Sequence, residues 1–146
     1  MTMRFLFTAI LLKALGQAQS GLAKPPNVLW LSAEDINAHF GCYGDDRAIT
    51  PNLDRLANEG MRLDHCYVTN SICTPSRTTI LTGTYNHVNR VTTLNTHLNK
   101  TLQTVAKHLQ SGGYQTAVIG KWHLGEGKDH QPTGFDFWSV LPGQGE

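Results

Sequence analysis

The sequence has few cysteines, a net charge close to zero and no long apolar run beyond its first residues. Three cysteines among 146 residues are too few to form a disulfide-stabilised scaffold. The formal net charge is only +1, so the net charge gives the chain no strong electrostatic attraction to nucleic acid or to an anionic membrane surface. Beyond residue 23, no apolar run is long enough to cross a bilayer. We therefore expect neither a nucleic-acid partner nor a membrane partner for the mature chain.

The first 23 residues have the pattern of a secretory signal peptide. Arg4 gives a positive start, the segment 5–15 is apolar apart from Thr8 and Lys13, and small residues follow it. The apolar run is too short for a comfortable membrane anchor. We therefore predict a signal peptide at 1–23, a mature part at 24–146, and a secreted or periplasmic location.

The rest of the chain alternates between predicted strands and helices. Short apolar or alternating runs predict the strands, and caps with spaced apolar residues predict the helices. The predicted strands are 28–31, 61–69 and 114–119, and the predicted helices are 50–60, 74–82 and 101–110. A glycine-rich turn at 41–44 and a long polar surface loop at 86–99 join them. This order predicts an α/β layered domain, in which polar groups gather at the carboxyl ends of the strands.

The stretch from Ser71 to Gly83 predicts a reactive group at the start of a helix. Thr74 is a suitable cap, Pro75 suits the first helical position, and Gly83 can end the helix. Cys73 would then lie just ahead of the helix, where unpaired N–H groups and the helix dipole favour negative charge. Arg77 would supply a fixed cation beside it. We therefore expect an acidic thiol or a bound oxyanion at this point.

Other interpretations of Cys73 also exist. One is an ordinary buried cysteine, since free cysteine is common in protein cores. A thiol phosphatase would need an arginine six residues after the cysteine, and that position is Thr79. If Cys73 serves chemistry, Cys42 and Cys66 are left either to pair with each other or to remain free.

Glu34 and Asp35 follow directly after the first predicted strand. Two adjacent carboxylates repel each other unless a cation or water separates them. Their hard oxygen atoms suit Ca²⁺ or Mg²⁺, and the alternative is a solvated acidic turn or a helix cap.

Lys121 and His123 follow the last predicted strand. Being two residues apart, they would point to the same side of an extended segment. A cation beside a proton donor suits an anionic leaving group, and the alternative is an exposed basic strand end.

Two sequence patterns resemble those of a known family. The pattern C-x-P-S-R-x-x-x-L-T-G at 73–83 resembles the signature of the type I, formylglycine-dependent sulfatases. Gly-Lys-Trp-His-Leu-Gly at 120–125 resembles the second signature of that family. The resemblance implies an alkaline-phosphatase-like α/β/α sandwich. Residues 24–146 would be the N-terminal part of its catalytic domain, truncated at the C-terminus.

The resemblance also implies a chemistry for these residues. A formylglycine-generating or sulfatase-maturating enzyme would oxidise Cys73 to formylglycine, whose hydrate attacks the sulfur of a sulfate ester. Ca²⁺, more than Mg²⁺, would be held by Glu34, Asp35 and residue 73, with Glu34 standing where the family has aspartate. Arg77 would polarise the nucleophile, Lys121 would balance the sulfate charge, and His123 would hydrogen-bond the formylglycine. Because further calcium ligands would be missing, we expect the isolated 146-residue chain to be inactive.

Flanking segments narrow the expected substrate. The segments 68–73 and 132–138 resemble bacterial carbohydrate sulfatases, including those that act on N-acetylglucosamine-6-sulfate. Phe135, Phe137 and Trp138 in the second segment are interpreted as core or pocket wall. The alternative functions are a phosphonate monoester or phosphodiester hydrolase of the same superfamily and an inactive sugar-binding fragment.

Overall fold

A computed structural model describes residues 24–125 and 131–143, so the predicted signal peptide lies outside the described residues. The elements are a short 3-10 helix (Gly41–Tyr43), the helices α1 (Pro51–Glu59), α2 (Cys73–Thr82), α3 (Asn86–Asn89) and α4 (Val105–Ser111), and the strands β1 (Ala117–Lys121) and β2 (Phe137–Leu141). Within these ranges, every helix is too short or too polar to cross a bilayer.

The described residues belong to two units of the chain, with the boundary between Ala33 and Glu34. In the described part of the first unit, residues 24–33 form neither helix nor strand, and Val28 to Leu31 are exposed. The prediction of a buried strand at 28–31 is therefore wrong. An apolar run becomes a strand only when a neighbouring strand supplies its hydrogen bonds, and the sheet of the described residues contains only β1 and β2.

The strand predicted at 61–69 is also absent. This segment is irregular, and Met61 and Tyr67 are each 85% exposed. Alternating apolar residues predict one buried face, but no described element covers that face here. The segment still leads directly into α2, as expected.

The sheet consists of two parallel strands in which Ala117 pairs with Phe137 and Lys121 pairs with Leu141. β1 begins at Ala117, three residues after the predicted start at 114. β2 was not predicted as a strand. Asp136 fixes the start of the pairing, because its Oδ2 accepts from Thr116 N at 2.8 Å and from Thr116 Oγ1 at 3.0 Å. The backbone N–H of Thr116, with the amide of Gln110 and the Thr116 hydroxyl, lowers the pKa of Asp136.

The predicted helices are confirmed, with changes at their starts. α1 runs from Pro51, and the N–H of Gly60 closes it on Leu56 O. Thr50 does not cap α1; its hydroxyl donates to Asp54 Oδ1 at 3.1 Å. α4 begins at Val105 instead of 101, where the Thr104 hydroxyl accepts from Lys107 N at 3.3 Å.

Residues 86–99 are not simply a surface loop. They begin with α3, in which Asn86 and Asn89 are buried, and Val91 behind it is buried as well. The amide of Asn86 donates to Pro75 O and to Val91 O, each at 2.8 Å. Because these bonds bridge α2 to the following chain, Asn86 fixes the first turn of the helix that carries Cys73.

Replacing Gly134 with alanine is expected to destabilise the protein. Gly134 has φ +86°, and a Cβ there would lie 2.9 Å from Lys107 N and 3.2 Å from its Cα. The left-handed backbone costs about 1–2 kcal/mol for a side chain, and the clash adds roughly 1–3 kcal/mol. Urea unfolding of the complete gene product measures the loss.

Gly113 provides the matched control for this substitution. It has the same φ of +86°, but nothing lies within 4 Å of a Cβ built there. Gly113→Ala should therefore cost only the backbone strain. Equal losses for Gly113→Ala and Gly134→Ala would show that the packing of Gly134 on α4 is wrongly described.

Candidate active site

The structure brings Glu34, Asp35 and Cys73 together. One oxygen of each carboxylate and the sulfur of Cys73 all lie within 4.8 Å of one another. Cys73 enters from the start of α2, whereas the carboxylates come from the irregular chain at 34–35. The predicted cluster is therefore present, although the carboxylates do not follow a strand.

Glu34 lies between two cations. Its Oε2 accepts from Arg77 Nη2 at 2.8 Å, and its Oε1 accepts from Lys121 Nζ at 2.6 Å. Burial raises the pKa of Glu34, but a hydrogen bond from the Cys73 thiol and the charges of Lys121 and Arg77 outweigh it and lower the pKa to about 2. Glu34 is therefore ionised at neutral pH.

The Cys73 thiol is not acidic, contrary to the prediction. Its hydrogen bond to Glu34, its burial and the negative charge of Glu34 raise its pKa, and Lys121 opposes this rise only in part. The carboxylate beside the sulfur thus overrides the helix dipole. A protonated thiol is a weak nucleophile, so an unmodified Cys73 is poorly suited to attack an ester.

Cys73 is the first residue of α2, with Ile72 as the residue before the helix. The predicted cap at Thr74 is wrong, because Thr74 lies inside the helix and its hydroxyl donates to His123 O at 2.9 Å and to Leu94 O at 3.2 Å. The predicted end is confirmed: Gly83 is left-handed at φ +64°, and its N–H bonds to Thr79 O.

Arg77 joins α2 to the end of β1. Its Nη1 donates to Lys121 O at 2.6 Å while its Nη2 holds Glu34. The planar guanidinium therefore fixes the position of a carboxylate and a backbone carbonyl at once. Arg77 and Lys121 are both largely shielded from solvent, which strengthens their electrostatic effect on the site.

His123 is placed differently from the prediction. Lys121 is the last residue of β1, but His123 has φ +51°, so the chain is not extended through both residues. The same-side argument is therefore wrong. The His123 backbone is held by its N–H, which donates to Pro142 O at 2.9 Å, and by Thr74, which bonds its carbonyl.

The donor set can be tested against a divalent cation. Glu34 and Asp35 offer the hard oxygen atoms that Ca²⁺ and Mg²⁺ prefer. Glu34 accepts from Arg77, from Lys121 and from the Cys73 thiol, which leaves one of its roughly four lone-pair sites for a cation. The sulfur of Cys73 is the unsuitable donor, because thiols suit softer metals. The residues fit a hard cation if residue 73 presents oxygen instead of sulfur.

Thr74 and Asn86 hold the backbone around the site through side-chain hydrogen bonds, and the sequence did not predict this role. Thr74 was interpreted as a cap, and Asn86 was placed in a surface loop. A polar residue directly after a reactive cysteine was the only available signal for Thr74, and it does not identify a partner 49 residues away. The three cysteines are all unpaired, so Cys42 and Cys66 form no disulfide in the structure.

The chain belongs to the sulfatase family. The family model described as Sulfatase matches residues 26–144, which include all six predicted site residues. The resemblance inferred from the two signatures is therefore confirmed. The individual roles of the six residues stay predictions.

Several relatives are similar to the chain. It is 44% identical over 139 residues to N-acetylglucosamine-6-O-sulfatase of Bacteroides thetaiotaomicron, which covers 94% of this chain and 24% of that protein. It is 35% identical over 143 residues to human N-acetylgalactosamine-6-sulfatase, covering 87% of this chain and 27% of that protein. The chain thus spans about a quarter of the length of these relatives.

A solved structure supports the same relationship. A protein in complex with its substrate, D-glucosamine-2-N,6-O-disulfate, matches with a TM-score of 0.78 and 47% identity, over 84% of this chain and 24% of that chain. The predicted fold class is confirmed: the chain has the N-terminal part of the alkaline-phosphatase-like α/β fold of sulfatases, with a parallel strand pair.

Proposed function

We propose that the complete protein containing this chain is a sulfuric ester hydrolase that removes sulfate from a sulfated carbohydrate. The observation that carries the proposal is the convergence of Cys73 with the carboxylates of Glu34 and Asp35 and the cations of Arg77 and Lys121. The similarity to two carbohydrate sulfatases supports it. An N-acetylglucosamine-6-sulfate type of substrate follows from the relative named for that activity.

Cys73 is proposed to become formylglycine through a formylglycine-generating or sulfatase-maturating enzyme. When formed, this group supplies a hydrated aldehyde, with one hydroxyl to attack sulfur and a second to drive the later release of sulfate. Two observations support the modification. The raised pKa of Cys73 makes the thiol a weak nucleophile, and its sulfur is the one donor unsuited to a hard cation.

Glu34 and Asp35 are proposed to hold Ca²⁺. A bound divalent cation would supply Lewis-acid polarisation of an oxygen at the reacting centre. Ca²⁺ accepts varied coordination numbers, whereas Mg²⁺ demands a near-ideal octahedron. Calcium therefore suits a site in which Glu34 has one more methylene than aspartate and is already oriented by two cations.

The remaining side chains would act directly on the anionic ester. Lys121 and Arg77 stabilise negative charge that develops on the sulfate oxygens. Arg77 keeps its orientation because its second nitrogen is fixed to Lys121 O. His123 is proposed to hydrogen-bond the nucleophilic hydroxyl and to exchange a proton with it. Secretion or periplasmic export, based on the signal-like residues 1–23, would place the enzyme where extracellular glycans are found.

A substrate panel tests this function. The complete gene product, produced together with a maturation enzyme, is offered a sulfated N-acetylglucosamine, an aryl sulfate, and a phosphonate monoester. We expect release of inorganic sulfate from the first two with higher kcat/KM than release of phosphonate. Faster hydrolysis of the phosphonate ester would instead support the phosphonate and phosphodiester hydrolase alternative. No turnover of any ester, despite conversion of Cys73, would support an inactive sugar-binding protein.

The 146-residue chain alone is expected to show no turnover of a sulfate ester. Three donor groups are too few for Ca²⁺, which takes about 6–8 oxygen ligands in proteins. The remaining ligands would belong to the longer protein. Sulfate release by the purified 146-residue chain, measured by ion chromatography beside the complete gene product, would contradict this expectation.

A further inference from the structure

We propose that Thr74 is a positioning residue that fixes His123 against the start of α2. The proposal rests on the proposed function for its kinetic test, although the contacts stand independently of it. Thr74 is 1% exposed, directly follows Cys73, and directs its hydroxyl at the carbonyls of His123 and Leu94. A hydroxyl has one hydrogen, so the shorter bond of 2.9 Å to His123 O is the principal one.

The contact matters because of the backbone at His123. With φ +51°, this residue occupies a left-handed conformation that is uncommon for residues with a side chain, so the contacts that hold it determine its geometry. Its N–H is fixed to Pro142 O, on the side of β2. Thr74 holds the opposite end of the same residue, through its carbonyl. Together the two bonds determine the direction in which the imidazole leaves the chain.

Thr74 and Arg77 act as a pair on one face of α2. Residues three apart on a helix are neighbours on its surface. Arg77 donates to Lys121 O, and Thr74 donates to His123 O, so two carbonyls from the end of β1 are each held by the helix that begins at Cys73. The bond from Thr74 therefore holds His123 at a fixed distance from residue 73. The bond from Arg77 holds Lys121 against the same helix in the same way.

Thr78 supplies a control on the same helix. It lies one turn after Thr74, is 0% exposed, and its hydroxyl has no hydrogen-bond partner among the described residues. The change from threonine to valine keeps the shape and removes the hydroxyl. Thr74→Val should therefore disturb the active site, whereas Thr78→Val should leave the active site unaffected.

The kinetic experiment compares Thr74→Val, Thr74→Ser and Thr78→Val in the matured complete gene product. For Thr74→Val we expect kcat on the sulfate ester to fall about 10- to 100-fold, because a displaced catalytic group loses alignment with the reacting atoms. KM should change less than about 3-fold, since the sulfate-binding cations are untouched. Thr74→Ser should restore most of the rate. A Thr74→Val enzyme with unchanged kcat would overturn the proposal.

A double-mutant cycle separates positioning from general loss of stability. In a His123→Ala background, Thr74→Val should reduce kcat less than about 2-fold, because the group it positions is already gone. An equal reduction in both backgrounds would show that Thr74 acts independently of His123 and would overturn the proposal.

Amide hydrogen exchange tests the contact even if the proposed function fails. We expect Thr74→Val to raise exchange at residues 122–124 about tenfold or more, with Thr78→Val close to wild type. Equal exchange in the two variants would overturn the proposal. A wild-type protein that hydrolyses no sulfate ester, but shows this difference in exchange, would refute the proposed function and leave the positioning role supported.

Discussion

Replacing Cys73 with alanine is expected to abolish hydrolysis of sulfate esters. Alanine has neither sulfur nor a precursor of an aldehyde, so no nucleophile forms beside the carboxylates of Glu34 and Asp35. Loss of the nucleophile should lower kcat on the order of 10⁴-fold or more. The measurement is sulfate release by the complete gene product, produced with a maturation enzyme.

Cys66→Ala is the control for this loss, because Cys66 is exposed and outside the cluster of carboxylates. Its turnover should equal that of the wild type. Appreciable turnover by Cys73→Ala would show that another group attacks the ester, and the role assigned to residue 73 would be wrong.

The serine variant distinguishes an aldehyde-derived nucleophile from a simple hydroxyl. Serine at residue 73 has one hydroxyl, which can form a sulfate ester and release the alcohol. It lacks the second hydroxyl whose electrons would expel the sulfate. If serine is not itself oxidised, Cys73→Ser should therefore stop after one event and gain about 80 Da on the peptide of residue 73. Continued turnover by this variant would contradict the two-hydroxyl mechanism.

Replacing Arg77 with lysine is expected to reduce kcat about 10²- to 10³-fold, the usual cost of losing an electrostatic donor at a reacting oxyanion. Arg77 uses two nitrogens, one for Glu34 Oε2 and one for Lys121 O. An ammonium group has the same charge but not the planar fork, so it cannot reproduce both bonds. Sulfate release and calcium affinity should both decline, since Glu34 loses one of the groups that orient it.

Arg55→Lys provides the matched control. Arg55 lies on α1, is exposed, and pairs with Glu59 at 3.5 Å. An exposed ion pair of this kind contributes little to the stability of the fold. Its replacement should leave kcat and calcium affinity unchanged. If Arg77→Lys retained full activity, a positive charge at residue 77 would be sufficient for catalysis. The planar guanidinium and its two bonds would then not be required.

The helices were predictable because their signals are local. Pro51 with Gly60, and Gly83 after α2, each specify an end through properties of single residues. The strands at 28–31 and 61–69 were predicted wrongly because a strand depends on a partner that a local pattern does not reveal. β2 was missed for the same reason: its aromatic residues were interpreted as packing groups, and only the parallel pairing with β1 makes them a strand.

The members of the candidate site were predictable from residue type and spacing, but their arrangement was not. The patterns around Cys73 and Lys121 identified the groups that meet in space. The raised pKa of Cys73 could not be foreseen, because it depends on Glu34, which lies 39 positions earlier in the sequence and contacts the thiol only in the fold. Likewise, the left-handed conformation of His123 depends on Thr74 and Pro142, which are distant in the sequence.

The most direct test of the central claim is the mass of the peptide that contains residue 73, taken from the complete gene product made together with a competent maturation enzyme. Conversion of cysteine to formylglycine replaces the thiol and one hydrogen by an aldehyde oxygen, so the peptide should be lighter by about 18 Da. A peptide that keeps the mass of an unmodified thiol in a folded protein would contradict the claim that Cys73 becomes the nucleophile.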